Sequence, residues 1–143
     1  MALSIFLMEQ TCQVRNKSQE LKIKIMKENV VQQKSFAFAI RVVNAYKYLT
    51  EQKKEFVLSK QLLRWGTSIG ANVEEATGGQ SKKDFIAKIS ISYKEARETK
   101  YWLNLLTATD YLDEKLSKSL LDDVEELCKI LSSILLTTKQ NNS

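Results

Sequence analysis

The chain contains no histidine. That excludes Ser-His and Cys-His nucleophilic pairs, metal-histidine centres and the Glu-x-x-His motifs of di-iron bundles. It also excludes the RxxxxH pattern of helical ribonucleases of the HEPN type. There is no proline in 143 residues, so nothing of that kind interrupts a long helix. Only four glycines occur, Gly66, Gly70, Gly78 and Gly79. They are too few to turn an all-β chain and do not form a phosphate loop. Cys12 and Cys128 are isolated and have no metal-ligand spacing; free thiols in a reducing cytoplasm are expected. The longest apolar run, Met1–Met8, is broken by Ser4 and is far too short to span a bilayer. It lacks the basic start and small-residue cleavage site of a signal peptide. The expected protein is cytoplasmic, with no membrane association. Glu74, Glu75, Asp84, Glu95 and Glu98 are the acids that could hold a divalent ion. Arg64, Lys88 and Arg97 lie among them, which points to structural ion pairs. No metal, cofactor or catalysis is expected.

What the chain has is helical periodicity. Phe38, Val42, Ala45 and Leu49 recur at helical spacing, with Phe36, Ile40 and Val43 beside them, in a helix expected from about Lys34-Ser35. A third helix reads from Phe85 through Ile89, Ser92, Ala96, Thr99, Leu103 and Leu106. A fourth reads through Leu120, Val124, Leu127, Leu131 and Ile134. Residues 1–25 show no sustained period. They are expected to be a mobile or loosely attached extension, upstream of the true start if translation begins at Met26. Residues 26–143 then make an all-α, antiparallel up-down-up-down four-helix bundle with a short polar tail.

Its centre is the stretch from Ser59 to Leu103, read as two helices folded back at Thr77-Gly78-Gly79-Gln80. Ser59 is the expected N-cap of one, and Ser81 to Asp84 has the form of a capping box for the other. With a short antiparallel connection, residues whose numbers sum to about 158–160 should face each other. Arg64, Ser68, Asn72 and Glu75 share one helix face. The register predicts Arg64 against Glu95 or Glu98, and Asn72 or Glu75 against Lys88. Gly66 and Gly70 predict close approach of another backbone, set opposite the small residues of the third helix.

Net charge is +5, modest for a nucleic-acid binder. It is uneven: residues 26–64 hold 8 basic and 3 acidic groups, and residues 82–100 hold 6 and 3. Residues 101–143 hold 4 and 7. Alternating sign either pairs neighbouring helices or leaves one face of an assembly basic.

The runs ENVVQQKSFAFAIRVVNAYKYL, SKQLLRWGTSIGANVEEATGGQSKKDFIAKISISYKEARETKYWLNLL and LLDDVEELCKILSSILLTTK resemble the bacterial four-helix-bundle family. This family is also called the S23 ribosomal or 23S rRNA intervening-sequence protein family. The likeness spans roughly residues 28–138 and is most specific over Arg64–Ala76 and Glu98–Leu103. Trp65 stands where the family pattern has a small residue. A related protein is the accessory variability determinant of diversity-generating retroelements, a basic pentamer that works with a reverse transcriptase and its RNA. The resemblance implies a non-catalytic homo-oligomer, a pentamer by that analogy, bound to RNA or to a nucleic-acid enzyme.

Two functions follow as expectations. In the first, the assembly binds RNA or single-stranded nucleic acid through Lys60, Lys82, Lys83, Lys88, Lys94, Arg97 and Lys100. In the second, it is an adaptor for a protein partner such as a reverse transcriptase, docked through Trp65, Tyr93, Tyr101, Trp102 or Tyr111. Self-association is expected through surfaces that include Trp65, Tyr101 and Trp102.

Overall fold

A computed structural model describes residues 2–140. Four helices follow in order: α1 Ala2–Glu51, α2 Leu58–Thr77, α3 Lys82–Ala108 and α4 Glu114–Gln140. Short connections force neighbours to run antiparallel, and α4 closes the ring by packing on α1. The core is where the periodic stripes meet. Phe38, Val42 and Leu49 of α1 are buried with Leu62, Ile69 and Val73 of α2. Ile89, Ala96, Leu103 and Leu106 of α3 and Leu120, Val124, Leu127, Leu131 and Ile134 of α4 complete it. Phe36 and Ile40 lie outside this face and are exposed, contrary to the wide apolar face expected for that helix.

The first helix also begins far earlier than Lys34. Neither proline nor glycine occurs before Gly66. The backbone therefore meets no stop, and α1 runs unbroken for 50 residues, about 75 Å. Its first buried residue is Val31. Ahead of that point, Lys27 Nζ donates to Ser133 Oγ at 2.9 Å, and Lys24 sits 5.6 Å from the centre of the Phe85 ring. Residues 2–25 are thus a helical projection from the bundle, fastened near its base. The side chain of Cys12 and the tail beyond Gln140 lie outside the described residues. Because every buried side chain among the described residues lies at or beyond Val31, a chain beginning at Met26 is expected to keep a single cooperative thermal transition by circular dichroism. Non-cooperative melting of that shortened chain would contradict this.

The start of α2 is set by a residue that the sequence did not single out. Glu55 is buried, and its carboxylate accepts the backbone N–H groups of Val57, Leu58 and Ser59 at 3.0, 2.8 and 2.6 Å. Ser59, the expected cap, instead donates its hydroxyl to the Glu55 carbonyl. Burial alone would raise the Glu55 pKa, but the three backbone donors and the Ser59 hydroxyl hold it below the ordinary value of 4.5. A lowered folded-state pKa means that the cap is fully effective above the unfolded value and is lost as pH falls through the folded one. Glu55→Gln is expected to cost about 1–2 kcal/mol at neutral pH and less in acid, where the wild type loses the same charge. Thermal melts across the acidic range check this; equal stability of variant and wild type at neutral pH would contradict it.

Candidate nucleic-acid interface

The α2–α3 hairpin closes as the sequence suggests. Asp84 N–H donates to the Ser81 hydroxyl at 3.1 Å, which caps α3. Lys88 Nζ lies 2.6 Å from the Glu75 carboxylate, and this neighbour raises the lysine pKa. Further up, the buried Ser92 hydroxyl donates to the Ile69 carbonyl at 2.9 Å. Asn72 Nδ2 donates to Glu95 Oε2 at 2.8 Å.

The expected pairing of Arg64 with Glu95 or Glu98 does not form. Among the described residues Arg64 reaches no carboxylate; its guanidinium stacks 5.2 Å from the Trp65 ring centre. Glu95 is taken by Asn72, two turns from the Lys88 that the register arithmetic set opposite that asparagine. The cause is the lean of helical side chains towards their own N-terminus. In an antiparallel pair this carries α2 side chains away from the turn and α3 side chains towards it. Each α2 residue therefore meets an α3 residue further along than its Cα position indicates.

The glycines also face a different helix. A Cβ on Gly66 would lie 2.7 and 2.8 Å from the two methyls of Val42, and one on Gly70 would lie 3.3 Å from the Ser35 carbonyl oxygen. Both mark the approach of α1, not of α3. Small residues still let α3 come close, because Ser92 bonds directly to the α2 backbone.

The basic residues divide into two groups. Lys88 is held by Glu75, and Lys100 lies 3.4 Å from Glu125. The acids of α4 also reach α1, with Asp123 on Arg41 and Glu126 on Lys34. The acidic fourth helix thus neutralises its two neighbours, through half-exposed pairs worth about 0–1 kcal/mol each. Among the described residues, Lys60, Lys82, Lys83, Lys94 and Arg97 reach no carboxylate. All five are exposed.

Lys83, Ala87, Ser90, Lys94, Arg97 and Tyr101 fall at spacings of four and three along the outward face of α3. The stripe is about 27 Å long. Lys100, one of the candidate cations of the sequence, instead turns to Glu125 of α4. Tyr101 is exposed and packs edge-on against Trp102, with ring centres 5.1 Å apart. Trp65 and Trp102 are half-buried. Trp65 Nε1 donates to Gln61 Oε1 at 3.3 Å, whereas the buried Trp102 Nε1 has no acceptor. The Tyr101 end of the basic stripe was missed in the sequence because Tyr101 had been grouped with Trp102 as interface. Spacing from Lys94 and Arg97 is the signal that places it with the cations.

The arrangement offers cations and one aromatic face. Cys128 is half-buried, and its thiol pKa is raised by burial, with Lys100 and Arg97 opposing that shift. No three histidine, cysteine or acidic side chains gather as a metal site among the described residues. No helix there is long and apolar enough to cross a membrane.

The 23S rRNA-intervening sequence protein family matches residues 27–133. A crystal structure of a protein with unknown function from the S23 ribosomal protein family of Bacteroides thetaiotaomicron is similar at 53% identity. The likeness covers 76% of this chain and 97% of that one, with a TM-score of 0.75. Among proteins with curated annotation, none matches.

Proposed function

The chain belongs to the 23S rRNA-intervening sequence protein family, and on that premise we propose that it is a non-catalytic, self-associating bundle that holds RNA along the outer face of α3. The observation that carries this reading is the stripe of Lys83, Lys94 and Arg97. These cations stay unpaired among the described residues, while those at Lys34, Arg41, Lys88 and Lys100 are neutralised. Lys82 widens the stripe at the hairpin end, and Lys60 is a further exposed cation on α2. Spaced cations with small residues between them suit a phosphate backbone, and an exposed tyrosine suits stacking of an unpaired base.

One protomer offers few contacts. Self-association multiplies them by raising effective concentration. Phe36 and Ile40, one turn apart on α1, are exposed apolar side chains of the kind that a second copy covers. A pentamer, as in the related accessory protein, would repeat the stripe around an axis. The test is purification from lysate with and without nuclease, followed by sequencing of the bound RNA. Recovery of nuclease-sensitive RNA of mixed sequence supports the reading, and its absence from both preparations counts against it.

A protein partner is the second reading. It is favoured by the exposed Tyr101 beside Trp102, whose buried indole N–H lacks an acceptor. A gene beside a reverse transcriptase would favour that role, and one inside a 23S rRNA intervening sequence would favour RNA.

A further inference from the structure

The projecting half of α1 lies outside the residues shared with the family, 27–133. Although the sequence alone shows no sustained period here, on the observed helix Leu3, Leu7, Val14, Leu21 and Ile25 line up at spacings of four, seven, seven and four. On a helix these five fall within a sector of about 40°. Each has between 48% and 76% of its surface exposed. This sector lies about 100° around α1 from the face that carries Val31, Phe38 and Val42 into the bundle. The bundle itself therefore leaves the stripe uncovered.

The spacing is a palindrome centred on Val14. An antiparallel copy of the same helix sets Leu3 against Ile25, Leu7 against Leu21 and Val14 against itself, which is the self-complementarity of a two-fold contact. Charge selects the same direction. Residues 2–14 carry Glu9 as their single charged group, whereas residues 15–27 carry Arg15, Lys17, Lys22, Lys24 and Lys27 against Glu20. Parallel pairing would lay the two basic halves side by side. Antiparallel pairing lays each against the nearly uncharged half of its partner.

Shape agrees with this direction. Beside Leu21, α1 and the end of α4 enclose a groove of about 410 Å³ lined by Leu21, Ile23, Lys24, Ile134 and Thr137. The partner's Leu7 would enter there. The end of α4 lies beside Lys17 to Lys27 of α1, so with the axis at Val14 the two α4 ends fall on opposite sides of it, each starting about 4 Å along the helix from Val14. We propose that residues 3–25 of α1 pair antiparallel with the same segment of a second copy of this chain, about a two-fold axis at Val14.

This contact is independent of RNA, so it stands or falls apart from the reading above. The test is cross-linking of the full chain in a Cys12→Ser, Cys128→Ser background under mild oxidation. Val14→Cys is expected to form a homodisulfide, because the axis brings the two positions within disulfide reach. Leu7→Cys alone and Leu21→Cys alone are expected to stay reduced, while a mixture of the two cross-links. Val14→Glu, with its helical signal retained, is expected to halve the mass seen by light scattering. Two outcomes overturn the proposal: no disulfide from Val14→Cys, or Leu7→Cys cross-linking to itself as readily as Val14→Cys.

Discussion

Alanine at position 66 is expected to lower the unfolding free energy of the bundle by about 1–3 kcal/mol. Helix propensity points the other way, since replacing glycine by alanine in a helix gains about 1 kcal/mol. Packing decides the sign. The new Cβ would lie 2.7 and 2.8 Å from the Val42 methyls, well inside the roughly 3.5–4.0 Å of favourable carbon contact. Val42 is fully buried and β-branched, so it has no free rotamer to move into. The two helices must separate, and that loosens the contacts that Phe38 and Ile69 make around them. Gly70→Ala should cost less, because its Cβ would meet the Ser35 carbonyl at 3.3 Å, a strain relieved by a shift of a few tenths of an ångström. Adding Val42→Ala to Gly66→Ala should recover part of the loss, as coupled neighbours do in a double-mutant cycle. Urea unfolding of the wild type, Gly66→Ala, Gly70→Ala, Val42→Ala and the double variant measures it. A Gly66→Ala protein at least as stable as the wild type would show that the helices are not held at this distance.

Replacing Lys82, Lys83, Lys94 and Arg97 together by glutamine is expected to abolish most RNA retention while leaving the fold intact. All four are exposed and bonded to no carboxylate among the described residues, so their removal uncovers no buried charge. Each phosphate contact on a single strand contributes about 0.7 to the slope of log affinity against log salt. Four lost contacts per engaged protomer flatten that slope by up to about 3. The loss should be equal across RNA sequences, because backbone contacts carry no base information. Lys88→Gln is the contrast. That lysine is spent on Glu75, so its replacement should leave RNA affinity nearly unchanged. A quadruple variant with the wild-type salt slope would remove the α3 stripe from the account.

Much of the fold was legible because burial in a helix repeats every three or four residues. Phe38 to Leu49, Ile89 to Leu106 and Leu120 to Ile134 were all readable in this way, and so was the Ser81 cap. What escaped depends on geometry that spacing does not encode. The pairing of Glu95 with Asn72 instead of Arg64 follows from side-chain lean. Glu55 caps α2 from outside the helix, through a carboxylate long enough to reach three backbone donors. Two helix ends also lack the glycine that usually marks them: Lys54 and Asp110 take positive φ values of 55° and 66°. The Asp110 end closes with the Tyr111 N–H on the Leu106 carbonyl at 2.9 Å. The α3 stripe was visible only in part, because sequence alone does not say that Lys88 and Lys100 are consumed by Glu75 and Glu125.

Filter binding of single-stranded RNA at low salt decides whether the outer face of α3 holds RNA. Wild-type protein is expected to retain RNA of unrelated sequences with similar affinity and to release it steeply as salt is added. Wild-type protein that retains no RNA at low salt would contradict it, leaving Lys83, Lys94 and Arg97 as a solvated surface of the bundle.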